Sequence, residues 1–333
     1  MSNPSLTLSR FLDSIGRYQP DLGEKFGALI SQIAFAGKAM AREVARAPLT
    51  GRLGLSGDEN PSGEDQKKLD LITNQMMIEA VADTGTVAAI VSEEMDEPRS
   101  IPKAETGFIL CVDPLDGSSN TDINGGVGTI FGVYRRRPGA TGKVTIDELL
   151  RPGFEQVAAG FINYGPSTMA VLTTGRGVSG FTLDSDLGEF MLTHPSLSCP
   201  RRGKYYSANL GNLPKWSPGV RGFVDYLTAS DQATGRPYSL RYAGAFVGDL
   251  YRMLISGGIF FYPGDQKNPD GKLRLLYECA PLAMLTEQAG GAASDGARRI
   301  LDIVPNKIHQ RSQLAIGSVE DVALYEKFFR GGA

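Results

Sequence analysis

Two apolar runs in this chain each stop in acids. VAAIV (87–91) leads into Ser92-Glu93-Glu94, and FILCV (108–112) leads into Asp113-Pro114-Leu115-Asp116-Gly117. Side chains at a strand terminus lie at the sheet edge, where α/β proteins form their ligand crevices. Four carboxylates in one crevice repel one another: unit charges roughly 4 Å apart cost about 4 kcal/mol at an effective dielectric of about 20. A hard divalent ion with a preference for oxygen, such as Mg²⁺ or Mn²⁺, relieves that repulsion. Pro114 restricts the turn between Asp113 and Asp116, and the Leu115 carbonyl can supply a further oxygen. A lone acid pair is ordinarily a solvated turn; two pairs, each behind a buried strand, argue for convergence. Gly117-Ser118-Ser119-Asn120 follows directly, and successive backbone N–H groups there can form an anion nest. If a helix starts there, its N-terminus adds to the attraction for phosphate. Metal beside a phosphate nest suits phosphoryl transfer to water: the ions neutralise and orient the phosphate and lower the pKa of a water.

Positioning these acids falls to a mixed set of elements. Residues 5–48 read as largely helical, with Phe26, Leu29, Ile30, Ile33, Met40 and Val44 at helical spacing. The pattern breaks at Pro48 and Gly51, and 50–64 reads as a mobile surface loop. A helix is expected over Asp65–Ala82. A third strand, GTIFGVY (128–134), precedes the basic Arg135–Arg137, read as a surface edge because no aromatics are interleaved with it. VAAGFI and AVLTT continue the strand pattern. Around His194-Pro195 to Cys199-Pro200 lies the expected boundary between units 1–196 and 197–333. Beyond it AFVGDLYRMLISG reads as an amphipathic helix, GIFFYP as a strand, YECAPLAMLTEQAGG as a helix and AIG as a final strand. Strands mixed with helices in both halves point to a layered α/β architecture. Lys272 and Arg274, two apart on an expected strand, share one side.

Composition narrows the function class. The chain has 333 residues, 41% hydrophobic, with 34 Lys+Arg against 37 Asp+Glu and a net charge of −3. That excludes wholesale disorder and argues against nucleic acid, whose backbone demands clustered positive charge. No run approaches ~20 apolar residues, so no membrane span is expected, and the first ten residues show no secretory leader. Cys111, Cys199 and Cys279 are scattered and form no disulfide framework, which fits a reducing cytoplasm. His194 and His309 are too few for a multi-histidine zinc site. His309 reads as structural and Cys111 as a core residue.

VSEE (91–94), GEDQKKLD (63–70), DPLDGSSN (113–120), GTIFGVY (128–134) and GKLRLLYECAP (271–281) together resemble class I fructose-1,6-bisphosphatase, within the metal-dependent, lithium-sensitive sugar and inositol phosphatases. DPLDG alone marks the wider group; GKLRLLYE, YSAN (206–209) and RYAG (241–244) point to the bisphosphatase branch. The resemblance runs from about Leu6 to Phe328. It implies an α/β/α/β/α sandwich, two mixed sheets with helices between and outside. It also implies Mg²⁺-dependent removal of the 1-phosphate of fructose 1,6-bisphosphate by a metal-activated water, in gluconeogenesis or the Calvin cycle, by a cytoplasmic homotetramer.

By the same resemblance Glu93, Asp113, the Leu115 carbonyl, Asp116 and Glu278 hold two or three Mg²⁺ ions, Mn²⁺ being an alternative, with Asp65 as an accessory acid. Asp70 and Glu94 take a proton from the attacking water. Asp116, Gly117, Ser118 and Ser119 hold the 1-phosphate. Asn209, Tyr242, Tyr262 and Lys272 hold the 6-phosphate and sugar; Arg241 reaches the 6-phosphate of a neighbouring subunit, and Arg274 assists near the metals. Tyr262, Asn209 and Lys272 are the phenol, amide and ammonium donors that a second phosphate needs.

Alternatives remain at this stage. A sedoheptulose 1,7-bisphosphatase differs in reach rather than chemistry, an inositol-type phosphatase needs no grip on a second phosphate, and an inactive scaffold homologue would have lost an acid. The chain also departs from its animal relatives, whose AMP pocket uses threonines on the first long helix and a Lys-Tyr pair. Here Asp21–Gly27 and Gly107-Phe108 stand in those places and only Arg135 is retained, so weak or absent AMP inhibition is expected. Residues 137–156 carry no cysteine, so no thiol switch of the plastid kind is expected.

Overall fold

A computed structural model of the protein describes residues 6–61, 63, 65–101 and 107–331. Residues 1–5, half of the stretch read for a secretory signal and including Ser5 of the expected helical stretch, and Ser62 and Glu64 of the expected loop lie outside the described residues.

The chain runs α1 (Leu8–Tyr18), α2 (Glu24–Thr50), β1 (Leu55–Glu59), β2 (Asp65–Lys67), α3 (Lys68–Ala82), β3 (Val87–Ser92), β4 (Arg99–Ser100), β5 (Phe108–Asp116) and β6 (Val127–Arg135). It continues through α4 (Ile146–Leu149), β7 (Gln156–Tyr164), β8 (Thr168–Thr173), β9 (Val178–Asp184), β10 (Glu189–His194), β11 (Tyr205–Ser207), α5 (Pro218–Thr228), β12 (Ser239–Leu240), α6 (Phe246–Ser256) and β13 (Ile259–Tyr262). The last elements are β14 (Leu273–Arg274), α7 (Ala280–Gln288), β15 (Ala292–Ser294), β16 (Arg311–Ser312), β17 (Leu314–Gly317) and α8 (Val319–Phe329).

An eight-stranded sheet has the order β10-β9-β8-β7-β6-β5-β3-β4, and a five-stranded sheet the order β12-β11-β13-β17-β15. Both are mixed: β3 runs parallel to β5 and β11 parallel to its two neighbours, whereas β5–β6 and β13–β17 are antiparallel. The two-residue period of a strand sorts its side chains between cores. On β6 and β7, Phe131 and Ile162 join Ile30 and Ile33 of α2 on one face, while Ile130 and Phe161 meet Leu250 of α6 and Leu282 of α7 on the other. The same helix layer receives Phe260 and Ile316 of the smaller sheet; Ile259, Phe261 and Ala315 point the opposite way, against Phe223 of α5 and Tyr325 of α8. The result is five layers, α1–α3, large sheet, α6–α7, small sheet, α5 and α8, as the resemblance implied.

Local differences from expectation have physical causes. The long N-terminal helix is interrupted at Gln19–Gly23, where Pro20 starts a short 3₁₀ turn and Gly23 sits at φ +75°. α2 continues through Pro48 and stops at Gly51, whose left-handed φ of +67° closes it. Part of the expected loop at 50–64 is strand: β1 pairs antiparallel with β2, so Asp65 opens a strand and the helix begins three residues later. Among the described residues no helix is long and apolar enough to cross a membrane.

Candidate active site

β3 and β5 are wholly buried, and each delivers its terminal acids into one crevice. Asp113 and Asp116 are three apart, which on a regular strand puts them on opposite faces. Opposite β6, however, Asp113 pairs with Ile130 and Asp116 with Gly128, so β5 carries one extra residue across that interval. This bulge reverses the parity and turns both acids to the same side. Pro114, which cannot donate to the ladder, sits inside it. The Leu115 N–H donates to Asp113 Oδ1 at 3.0 Å, and Thr129 Oγ1 donates to the Pro114 carbonyl at 2.8 Å.

Glu278 arrives from the other half of the chain, on a single π-helical turn (Leu275–Cys279) that opens α7. Its carboxylate accepts from the Arg274 N–H at the head of that turn. One oxygen each from Asp113, Asp116 and Glu278 lies within 4.8 Å of the others, and all three residues are buried. Glu93, also buried, is paired to the Arg274 guanidinium at 2.7 Å, and the same guanidinium stands 4.0 Å from Glu278. The Arg274 guanidinium carries a single positive charge against these four buried acids. Burial pushes Asp113 and Glu278 well above the usual carboxylate range, and the neighbouring acids push them further. Asp116 is pushed up to about 7 by burial, although the N–H groups of Val247 and Phe246 stabilise its charge, the former at 2.7 Å. Oxygen donors this crowded, buried and costly to ionise fit a hard divalent cation.

Asp70 is in the first turn of α3. Its Oδ2 accepts from the Lys67 N–H at 2.7 Å; its Oδ1 is buried and has no hydrogen-bond partner among the described residues. Burial raises its pKa to about 6, against the pull of the Lys67 N–H and the Ser118 hydroxyl. Glu94, half-buried, accepts from the Gln66 side-chain amide; burial, Asp70 and Glu93 raise its pKa to about 8. Gly117 takes φ +74°, and a Cβ on it would lie 2.4 Å from Ala245 Cβ, so only glycine allows this loop to approach α6. The expected helix at 118 is a six-residue 3₁₀ turn (Ser118–Ile123), leaving the nest amides rather than a long dipole to meet an anion. Asp122 of that turn is bridged by Lys67 Nζ at 2.6 Å and by the Gly54 N–H at 3.0 Å.

The sugar-side residues are placed differently. Burial raises the Tyr242 phenol to about 12, with Tyr262 and Asp116 near enough to raise it further, so these three are grouped. Asn209 is half-buried and accepts from the Gly211 N–H at 3.1 Å, and Arg241 is exposed, its guanidinium 5.8 Å from the Tyr205 ring. Lys272 is exposed while Arg274 is 5% exposed; β14 spans only Leu273–Arg274 and Lys272 precedes it, so the strand alternation behind the expected pairing does not extend to Lys272. Asp65 is exposed on β2, apart from the three-acid cluster. Arg136 is not a surface arginine: it is buried against Glu148 at 3.0 Å. His309 shares a 2.7 Å hydrogen bond with the Tyr277 hydroxyl, in keeping with a structural role. A cleft of about 790 Å³ lined by Pro61, Lys267–Gly271 and residues of 303–313 includes none of the expected ligands.

Sequence reading assigned no role to the side chains of Gln66, Asn120 and Asp249. Asn120 Nδ2 donates to the carbonyls of Gly126 (3.1 Å) and Ala243 (2.9 Å). Asp249 had a legible signal, since it is an acid on the apolar face of α6 among Phe246, Leu250 and Met253, all buried.

Family models describing the N-terminal and C-terminal domains of fructose-1,6-bisphosphatase match residues 6–195 and 199–330. The chain is 48% identical to the class 1 fructose-1,6-bisphosphatase of Chlorobaculum tepidum, over 97% of each sequence. It is 52% identical to one from Acaryochloris marina over 91% of each. The crystal structure of Leishmania major fructose-1,6-bisphosphatase in holo form superposes with a TM-score of 0.91 at 39% identity, covering 97% of this chain and 98% of that one.

Proposed function

This chain belongs to the class 1 fructose-1,6-bisphosphatase family, and we propose that it removes the 1-phosphate of fructose 1,6-bisphosphate, yielding fructose 6-phosphate and inorganic phosphate. The observation that carries the reading is the meeting of Asp113, Asp116 and Glu278 within 4.8 Å, from two halves of the chain, beside the Gly117–Ser119 loop.

The family is metal-dependent, and in this chain Glu93, Asp113, the Leu115 carbonyl, Asp116 and Glu278 would hold the ions, two or three Mg²⁺, or Mn²⁺. When bound, such ions neutralise phosphate charge and acidify water. The chain's own groups do the rest. The amides and hydroxyls of Gly117–Ser119 hold the 1-phosphate. Asp70, whose Oδ1 has no hydrogen-bond partner among the described residues, and Glu94, fixed by Gln66, take a proton from the attacking water; its oxygen bonds to phosphorus as the phosphorus–O1 bond breaks, and O1 leaves with the bonding pair and takes a proton from water. Arg274 keeps Glu93 in place. Asn209, Tyr242, Tyr262 and Lys272 hold the sugar and its 6-phosphate. Exposed Arg241 reaches a neighbour's site in a homotetramer. We assign the metal chemistry to residues 1–196 and most of the sugar grip to 197–333, and place the enzyme in the cytoplasm.

Phosphate release from fructose 1,6-bisphosphate and from sedoheptulose 1,7-bisphosphate, on one preparation with Mg²⁺ varied, is the test. One phosphate released per fructose bisphosphate, with no turnover in chelator, is expected. Inert protein at millimolar Mg²⁺ refutes the reading, and exclusive use of the seven-carbon sugar replaces its substrate.

A further inference from the structure

We infer that Asp249 is a positioning residue for this phosphatase site, fixing the turn at Ala243–Ala245 that sets the register between the sugar-side residues and the phosphate loop. The inference rests on the function proposed above and extends it to a residue outside the ligand set.

Asp249 lies one turn into α6 and is 1% exposed. Its two carboxylate oxygens stand 3.0 and 3.1 Å from the Ala243 N–H, and the Gly244 N–H also stabilises its charge. A buried acid is costly unless donors surround it, so its presence in an apolar face calls for a reason. What it holds supplies one. The turn it secures follows Arg241 and Tyr242, and Gly244 there takes a left-handed φ of +77°. On its other side the turn is bonded to the phosphate loop. The Ala243 carbonyl accepts from Asn120 Nδ2 at 2.9 Å, Ala245 abuts Gly117, and the Val247 N–H donates to Asp116 Oδ2 at 2.7 Å. Ala243 is therefore pinned on both sides, its N–H by Asp249 and its carbonyl by Asn120. Shifting it moves Tyr242 relative to Ser118 and Ser119, and so the 6-phosphate grip relative to the 1-phosphate. Errors of about 1 Å in such alignments cost roughly 100-fold in rate.

The test is steady-state phosphate release from fructose 1,6-bisphosphate at saturating Mg²⁺ by the full chain, its Asp249→Ala, Asp249→Asn and Asn120→Ala variants, and the double variant Asp249→Asn/Asn120→Ala, with folding followed by circular dichroism. Asp249→Ala is expected to raise KM and lower kcat, together about 10–100-fold in kcat/KM. Asp249→Asn, keeping one acceptor oxygen, recovers part of the loss. The double variant is no more than about threefold below its worse single, because both changes cut one connection. A lower Tm with KM and kcat per folded molecule within about twofold of the parent, or losses that multiply in the double variant, overturns the inference. Should Asp249→Ala not fold, the three remaining variants decide it. An inert parent chain refutes the functional reading itself, whereas an active parent with kinetically normal variants refutes only the role of Asp249.

Discussion

The two sides of the site are built in opposite ways. On the phosphate side, Glu93, Asp113, Asp116 and Glu278 are buried: Asp113, Asp116 and Glu278 accept from backbone amides on a bulged strand end and a π turn, and Glu93, behind β3, is paired to Arg274. On the sugar side, Arg241 and Lys272 are exposed, Tyr242 is 40% exposed, and the residues sit on short connections. Bond breaking needs charges held in a fixed, dry geometry, so their ionisation cost is accepted and offset by cations. Recognition of a remote phosphate uses groups that stay hydrated until the substrate arrives. The two sides should fail differently, in kcat on the first and in KM on the second.

Asp70→Asn tests the phosphate side hardest. It removes a proton acceptor while conserving shape, so kcat is expected to fall about 10²–10⁴-fold with KM nearly unchanged. Full turnover in this variant would remove Asp70 from the reaction. On the sugar side, Lys272→Ala should raise KM about 10- to 100-fold, the worth of one charge-assisted contact, and leave kcat within a few-fold. A fall in kcat at constant KM would mean that the exposed lysine acts on the reacting phosphate, and the contrast would collapse.

The same contrast explains what the sequence disclosed. Acids behind buried strands are visible because burial imposes an apolar run before them: VAAIV stops one residue short of the end of β3, and β5 runs four residues past FILCV to carry Asp113 and Asp116 itself. The five layers were legible from the family motifs, and the helix and strand order from periodicity. The parity of Asp113 and Asp116 was not: it depends on a bulge defined against β6, far along the chain. Nor was the different exposure of Lys272 and Arg274 legible, because a two-residue strand leaves no period to read. The β1–β2 pairing hid in a segment rich in glycine and acids, where strand propensity is poor and only the partner strand fixes it.

A smaller effect is expected in stability. Without cations, the folded pKa values of Asp70 (about 6), Asp116 (about 7) and Glu94 (about 8) lie above their ordinary values of 3.8 and 4.5. The folded state thus binds protons that the unfolded state has released, and stability falls as pH rises through that window. In chelator, Tm is expected to drop by several degrees between pH 6 and pH 8. Millimolar Mg²⁺ should flatten the curve, and its stabilising increment should grow with pH. A Tm in chelator that stays level, or climbs, over that range would mean that these acids do not share a crevice.

The smallest expected response is to AMP. A cavity of about 500 Å³ is lined by Gly23, Lys25, Gly107, Phe108 and Arg135–Arg137, among them positions that the resemblance sets against the AMP pocket of animal enzymes. Its positive charge is largely committed. The Arg135 guanidinium donates to the Asp21 carbonyl and lies 5.5 Å from the Phe108 ring, and Arg136 is buried against Glu148. The missing lysine is built out by the backbone: a Cβ on Gly107 would stand 2.3 Å from the Thr86 carbonyl. Phosphate release should therefore keep more than half its rate up to about 1 mM AMP, a dissociation constant worth only about 4 kcal/mol. Gly107→Lys should not create inhibition, because the new side chain forces the β3–β5 pairing apart before it can reach a nucleotide. Half-inhibition at micromolar AMP in the parent chain would show that Lys25 and Arg137 suffice for a phosphate, and that charge in this pocket is less committed than its contacts indicate.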